Sequence, residues 1–325
     1  MKYSFFLHKS GMPPSKRKNV SAVDKRRARC YNKDNESNKE AIMANNTMQL
    51  RFPGGLSKAL TLSYDDAVIE DERLMSIMKE GGLKGTFNVN SGSYSPEGYE
   101  RPVGEWRHCR MSRAEAIALY TDSGMEVAFH SYTHPHLESL PAPQAAYEIV
   151  RDRAQLEEDF GVIVRGGAYP FGTYNDETVQ ALRDAGLVYC RTTRATEKFD
   201  IPTDWLRMPA TCHHRSARLG ELTRTFTETV PQAGDAPMLF YLWGHSYEFE
   251  RDNNWEIIES FAADVGHRDD VWYATNIEIY DYVDAWHRLV FSMNMKKVSN
   301  PTATDLYFTR GGKLYSVKAG ETVDL

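Results

Sequence analysis

From residue 58 onward, short apolar or β-branched runs alternate with amphipathic stretches. This is the pattern of βα units around a mostly parallel sheet. Strands are predicted over 58–64, 84–90, 125–130, 162–169, 187–192, 237–243 and 271–275, with a shorter one near 206–210. Helices are clearest over 70–80, 112–123, 142–160, 175–185, 253–264 and 276–291. Ser112 with Glu115 three residues on forms a capping box, and Asn175-Asp176-Glu177 places acceptors and negative charge at a helix start. About seven strand–helix alternations predict an α/β fold, an incomplete or distorted (β/α) barrel whose chemistry sits at the C-terminal ends of its strands. Beyond the last helix, Asn300-Pro301, Gly311-Gly312 and Gly320 punctuate short β-like runs. The expected organisation is therefore a basic, disordered extension over 1–47, a catalytic barrel over 48–295 and a small β appendage over 296–325.

Composition adds limits to this pattern. The 325 residues are 41% hydrophobic, enough for one large core, and the formal net charge of -6 favours neither nucleic acid nor an anionic membrane as main partner. The charge is uneven: residues 1–30 hold nine Lys and Arg against the single Asp24, a local +8 that leaves -14 for the remainder. Lys16-Arg17-Lys18 and Lys25-Arg26-Arg27-Ala28-Arg29 could attract phosphates, but a disordered tail is the preferred reading. An alternative start at Met43 or Met48 would make residues 1–42 an upstream extension. The run Tyr3-Ser4-Phe5-Phe6-Leu7 is too short for a signal-peptide core, and no apolar stretch approaches a membrane span, so a soluble, cytoplasmic protein is expected. Cys30, Cys109, Cys190 and Cys212 form no C-x-x-C pair and suit reduced thiols.

The polar residues that look misplaced in a core fall at the ends of predicted strands. Thr61-Leu62-Ser63-Tyr64 runs into Asp65-Asp66, and adjacent side chains at a strand end point different ways. One carboxylate can bind a metal while the other faces water; a helix cap is the structural alternative. Met125–Phe129 leads into His130-Ser131-Tyr132-Thr133-His134-Pro135, and the proline disfavours a helix there. Two histidines and a carboxylate leave an open coordination position, as a catalytic divalent-metal site requires, with zinc the first candidate. Ala168-Tyr169-Pro170-Phe171-Gly172 forms a turn able to aim a backbone N–H at an oxyanion. Trp243-Gly244-His245 closes another strand with a histidine placed to act as general acid.

In this order the four segments resemble the polysaccharide deacetylase family, over roughly residues 58–250. The family's Thr-Phe-Asp-Asp-Gly segment appears as Ser63-Tyr64-Asp65-Asp66-Ala67, and its His-Ser/Thr-x-x-His segment matches residues 130–134 fully. The resemblance implies Asp65 as general base, His245 as general acid, and Asp66, His130 and His134 as ligands of a divalent metal. Tyr169, Pro170, Phe171, Trp205 and Trp243 are the implied substrate and oxyanion residues. Three departures mark a divergent branch. Ala168 stands where the family has an arginine that orients the base, with Arg165 or Arg207 as candidate replacements. Asp204-Trp205 is one residue out of register with Asp200, and Trp243-Gly244-His245 replaces Leu-x-His.

The expected activity is metal-dependent cleavage of an amide C–N bond, with a soluble N-acetylated sugar or related small amide as substrate. Trp205, Trp243, Tyr247 and Trp255 are candidates for an aromatic wall. Cys212-His213-His214 is a further segment that could reach the site. Two rival readings stand beside this one: a barrel that binds carbohydrate without catalysis, and a metal-independent glycosidase with two carboxylates.

Overall fold

The computed structural model describes residues 48–100 and 106–325. The basic stretch and Cys30 lie outside the described residues. Strand β1 (Met48–Arg51) precedes β2 (Lys58–Asp65), in which all eight residues are buried. A strand buried on both faces belongs at the centre of a parallel sheet. Accordingly β2 pairs along its length with β9 (Met238–Gly244) on one side. On the other side its C-terminal half pairs with β3 (Gly85–Val89), while its first three residues pair with β10 (Val271–Tyr273).

The sheet continues from β3 through β4 (Glu126–Phe129), β5 (Gly166–Ala168) and β6 (Tyr189–Ala195), all parallel. Segment 208–213 then joins the two ends. Its first part, β7 (Met208–Ala210), pairs with β6, and its second, β8 (Cys212–His213), pairs with β9. Thr211 lies between them and donates its N–H to Tyr241 O at 2.9 Å. Among the described residues no regular strand closes the ring, so the domain is the distorted, incomplete (β/α) barrel that the alternation predicts.

Helices Asp71–Glu80, Arg113–Tyr120, Ala142–Phe160, Asp176–Asp184, Glu256–Val265 and Asn276–His287 lie where apolar periodicity puts them. The predicted capping box at Ser112 is present, and Asn175 caps Thr178 N–H at 2.8 Å. Helix 276–287 is shorter than predicted, and β11 (Val290–Phe291) follows it. Helix Leu219–Glu228 was not expected; it buries Leu219, Leu222, Thr223 and Phe226.

Residues 296–325 form β12 (Lys297–Ser299), β13 (Leu306–Arg310), β14 (Lys313–Val317) and β15 (Thr322–Asp324), all in antiparallel pairings. β13 lies between β14 and β1, and β12 lies between β11 and β15, so the first described strand is built into the C-terminal appendage. Val298, Leu306, Phe308 and Val317 are fully buried there beside Ile279 and Val283 of helix 276–287. Each such side chain contributes roughly 1.5–3 kcal/mol. Among the described residues no helix is long and apolar enough to cross a membrane.

Candidate active site

The C-terminal ends of β2, β4, β5, β6 and β9 surround one cavity of about 430 Å³. Its lining includes Asp65, Asp66, His130, His134, Tyr169, Phe171, Arg191, Trp243, His245 and Tyr247. At its floor the two carboxylates diverge because the chain turns abruptly: Asp66 has φ 87° and Ala67 φ 51°, both in the left-handed region. Ser131, His134 and Phe171 also have positive φ, so strained backbone gathers around this one cavity. Neither aspartate caps the helix that starts at Asp71, whose N-cap position is Glu70.

Asp65 is held from three sides. Asn88 Nδ2 donates to its Oδ1 at 2.8 Å, and Arg191 Nη2 donates to its Oδ2. His245 Nε2 and His130 Nε2 stand 3.7 and 3.8 Å from Oδ2. Burial opposes ionisation of Asp65, but Arg191 and the imidazoles keep its carboxyl below the usual range. Arg191 is itself buried and stacks over the Trp243 ring at 4.1 Å. Thus the arginine absent at Ala168 has a counterpart one strand further on. Arg165 and Arg207 do not replace it: Arg165 pairs with Asp281, and Arg207 pairs with Asp204 and Asp176, all at exposed positions.

Asp66 is fixed by Arg110, whose guanidinium donates to Asp66 Oδ1 at 2.8 Å, to Asp66 O at 2.7 Å and to Asn90 Oδ1 at 2.6 Å. Burial disfavours its charge, yet His108 and Arg110 hold its carboxyl well below the usual range. Asn90 in turn donates to the backbone oxygens of His130 and Ser131. A single polar chain therefore links the turn that carries Asp66 to the loop that carries both histidines. That loop has two further anchors. Asp152 accepts from His130 N–H at 3.0 Å, and Glu148 accepts from Thr133 N–H and Oγ1 at 2.7 Å each.

One ligand atom each from Asp66, His130 and His134 lies within 4.8 Å of the others. His130 Nδ1 meets Ala168 O at 2.8 Å, which places its proton there and leaves the Nε2 lone pair for an ion. Burial pushes both imidazoles toward the neutral, ligating form, His134 to about 4. The donor set thus fits a divalent metal with N and O ligands.

The remaining expected residues divide. Tyr169 lines the cavity and donates its hydroxyl to Leu206 O at 2.8 Å, whereas Pro170 is buried at the start of the turn. Phe171 stacks on His136 at 3.9 Å and meets His134 edge-on at 4.6 Å. Of the proposed aromatic wall, Trp243 and Tyr247 face the cavity. Trp205 packs edge-on against Tyr280, and Trp255 packs against Phe249, so neither lines it. Cys212 is buried, as are the other described cysteines, Cys109 and Cys190. His213 and His214 point at Glu248, a residue that sequence reasoning passed over although it follows His245 by one helical turn. Arg110 and Arg191 were missed as well; Arg191 carried a signal, a cation directly after the apolar run Leu187-Val188-Tyr189-Cys190.

The polysaccharide deacetylase family model matches residues 33–190. No curated protein matched the sequence. Among solved structures, a Mycobacterium smegmatis protein assigned as a polysaccharide deacetylase is 21% identical with a TM-score of 0.54, covering 74% of this chain and 94% of that one. A family 4 carbohydrate esterase from Streptomyces lividans in complex with acetate is 16% identical with a TM-score of 0.45, covering 67% and 93%. A Streptococcus pyogenes deacetylase in complex with acetate is 22% identical with a TM-score of 0.36, covering 41% of this chain and 55% of that one. The general chemistry that the family match supports is hydrolysis of an amide C–N bond. By family model and by fold, the chain resembles the polysaccharide deacetylases, as its four motifs imply.

Proposed function

We propose that the protein is a metal-dependent N-deacetylase acting on a soluble N-acetylated sugar or a related small amide. The observation that carries this reading is the placement of Asp65 and His245 beside the Asp66–His130–His134 donor set in one cavity. A divalent ion, zinc in this reading, would be held by Asp66, His130 and His134 and would supply Lewis acidity to the substrate carbonyl and the attacking water. Asp65, ionised and braced by Asn88 and Arg191, takes the proton from that water. The turn at Phe171, with φ 58°, aims a backbone N–H at the developing oxyanion. His245 donates its Nε2 proton to the departing nitrogen, so the products are a carboxylate and an amine. Burial works against its charge, but Glu248 and Asp65 raise its imidazole above the ordinary value, as a general acid requires. The cavity volume, with Phe171, Trp243 and Tyr247 on its walls, suits a small ligand. The binding-only reading drew its support from the missing arginine, and the Arg191–Asp65 bond removes that support.

Metal content of the wild type and His134→Ala, measured with acetate release from chitooligosaccharides, tests the proposal. Near-stoichiometric metal that is lost in the variant, with acetate released by the wild type, is expected. Metal without acetate would move the substrate to small amides, and absence of metal from both proteins would overturn the reading.

A further inference from the structure

Behind His245, on the side away from Asp66, lies a second cluster of ligating atoms. Glu248, in the short helix Tyr247–Arg251, turns its Oε2 toward three imidazoles. His213 Nε2 and His214 Nε2 each stand 3.1 Å from it, and His245 Nδ1 stands 3.7 Å away. None of these contacts is aligned as a hydrogen bond: among the described residues, Glu248 Oε2, His245 Nδ1 and both ring nitrogens of His214 are buried with no hydrogen-bond partner. Buried polar atoms left unmatched are costly and rare, and three of them, Glu248 Oε2, His245 Nδ1 and His214 Nε2, converge here. Ligand atoms of His213, His245 and Glu248 all fall within 4.8 Å of one another.

We propose that His213, His245 and Glu248 form a second transition-metal site, distinct from the Asp66–His130–His134 set. Two imidazoles and one carboxylate are the donor chemistry of a zinc-type ion. The other oxygen of Glu248 is occupied by cations, Arg215 Nη1 at 3.4 Å and Arg251 Nη2 at 3.7 Å, which leaves Oε2 for the ion. Those guanidiniums weaken the attraction for a further positive charge, so this site fills after the first. Arg215 N–H donates to His213 Nδ1 at 3.1 Å, so the ion-free ring carries its proton on Nε2. Binding of an ion at Nε2 would shift that proton to Nδ1, with no net release, and the Arg215 N–H would then lose this acceptor. His245 is shared between the two centres, with Nε2 toward Asp65 and Nδ1 toward the new ion. The site itself does not depend on the deacetylase reading; only its consequence, control of the form in which His245 faces the substrate, rests on it.

Titration of the full chain with zinc and with cobalt, followed by calorimetry and elemental analysis, tests this. Wild type should bind two ions, with Asp66→Asn and His213→Asn each binding one. Glu248→Gln should repeat the loss seen in His213→Asn, and near-ultraviolet circular dichroism should show all variants folded. One ion in the wild type that is retained by Asp66→Asn and lost from His213→Asn would support the second site while sinking the first. One ion lost from Asp66→Asn and kept by His213→Asn, two ions still bound by His213→Asn, or no ion in the wild type, would each overturn the proposal.

Discussion

Arg191, in the middle of β6, bonds the carboxylate of Asp65, at the end of β2, across 126 positions of sequence. Both side chains are almost wholly buried, so each depends on the other for its charge. Removing one member of a buried pair leaves the other uncompensated and costs about 3–5 kcal/mol. Arg191→Met is therefore expected to lower unfolding free energy by about 3 kcal/mol in denaturant titration and to suppress turnover. Metal content should not change, because Arg191 has no bond to Asp66, His130 or His134. Arg191→Lys, which restores the charge without the planar fork, should recover stability in part. Loss of metal from folded Arg191→Met would contradict the separation of roles.

The neighbouring aspartates should also separate. Asp65→Asn keeps an oxygen for Arg191 but cannot take a proton, so turnover is expected to fall by about 10²–10⁴ while bound metal stays near wild type. Asp66→Asn should lose the ion of the first site, because a neutral amide is a poorer ligand and Arg110 and His108 would no longer face a charge. Elemental analysis beside acetate release reads both effects. Equal metal and full activity in both variants would sink the assignment.

The sequence made some of this legible and hid the rest for identifiable reasons. Seven barrel strands were readable because β2, β3, β4 and β9 are apolar runs bounded by turns. The histidines and aspartates stood out because polar residues at strand ends have few structural explanations. Helix 219–228 escaped because its three threonines and Gly220 obscure the spacing of Leu219, Leu222 and Phe226. β1 escaped because its partner, β13, lies some 260 residues later. Arg110 and Arg191 act on residues 44 and 126 positions away, and nothing local marks such pairings. Trp205 looked functional through its place beside Asp204, yet side-chain packing against Tyr280 turns it from the cavity.

Ala67 occupies a place where the resembling family has glycine, and the structure shows why glycine suits it. Its φ of 51° is left-handed, a region that costs an L-residue roughly 1–2 kcal/mol. Glycine would remove that strain but lose more chain entropy on folding, roughly 0.5–1 kcal/mol. Ala67→Gly should thus stabilise the protein by about 0.5–1 kcal/mol in equilibrium unfolding, without altering metal stoichiometry. A destabilised variant would show that the Ala67 methyl, which is buried, contributes more packing than the strain costs.

Glu126 gives a stability prediction far from the cavity, at the N-terminal end of β4. Its carboxyl accepts from Tyr189 Oη at 2.7 Å, Thr86 Oγ1 at 2.8 Å and Ile277 N–H at 3.0 Å. Burial nevertheless dominates and pushes it up to about 7, while an unfolded glutamate titrates near 4.3. The folded state therefore binds the proton more tightly. The associated stability is fully present below about pH 4 and is lost as pH rises through about 7, a total of about 4 kcal/mol. Asp71 and Asp152, also pushed up to about 7 by burial, act with the same sign. Glu126→Gln keeps an acceptor oxygen and cannot ionise, so its stability should decline less than wild type between pH 5 and pH 8, with the gap widest at the alkaline end. Urea titrations across that interval would show parallel curves for the two proteins if the buried carboxyl did not titrate as described.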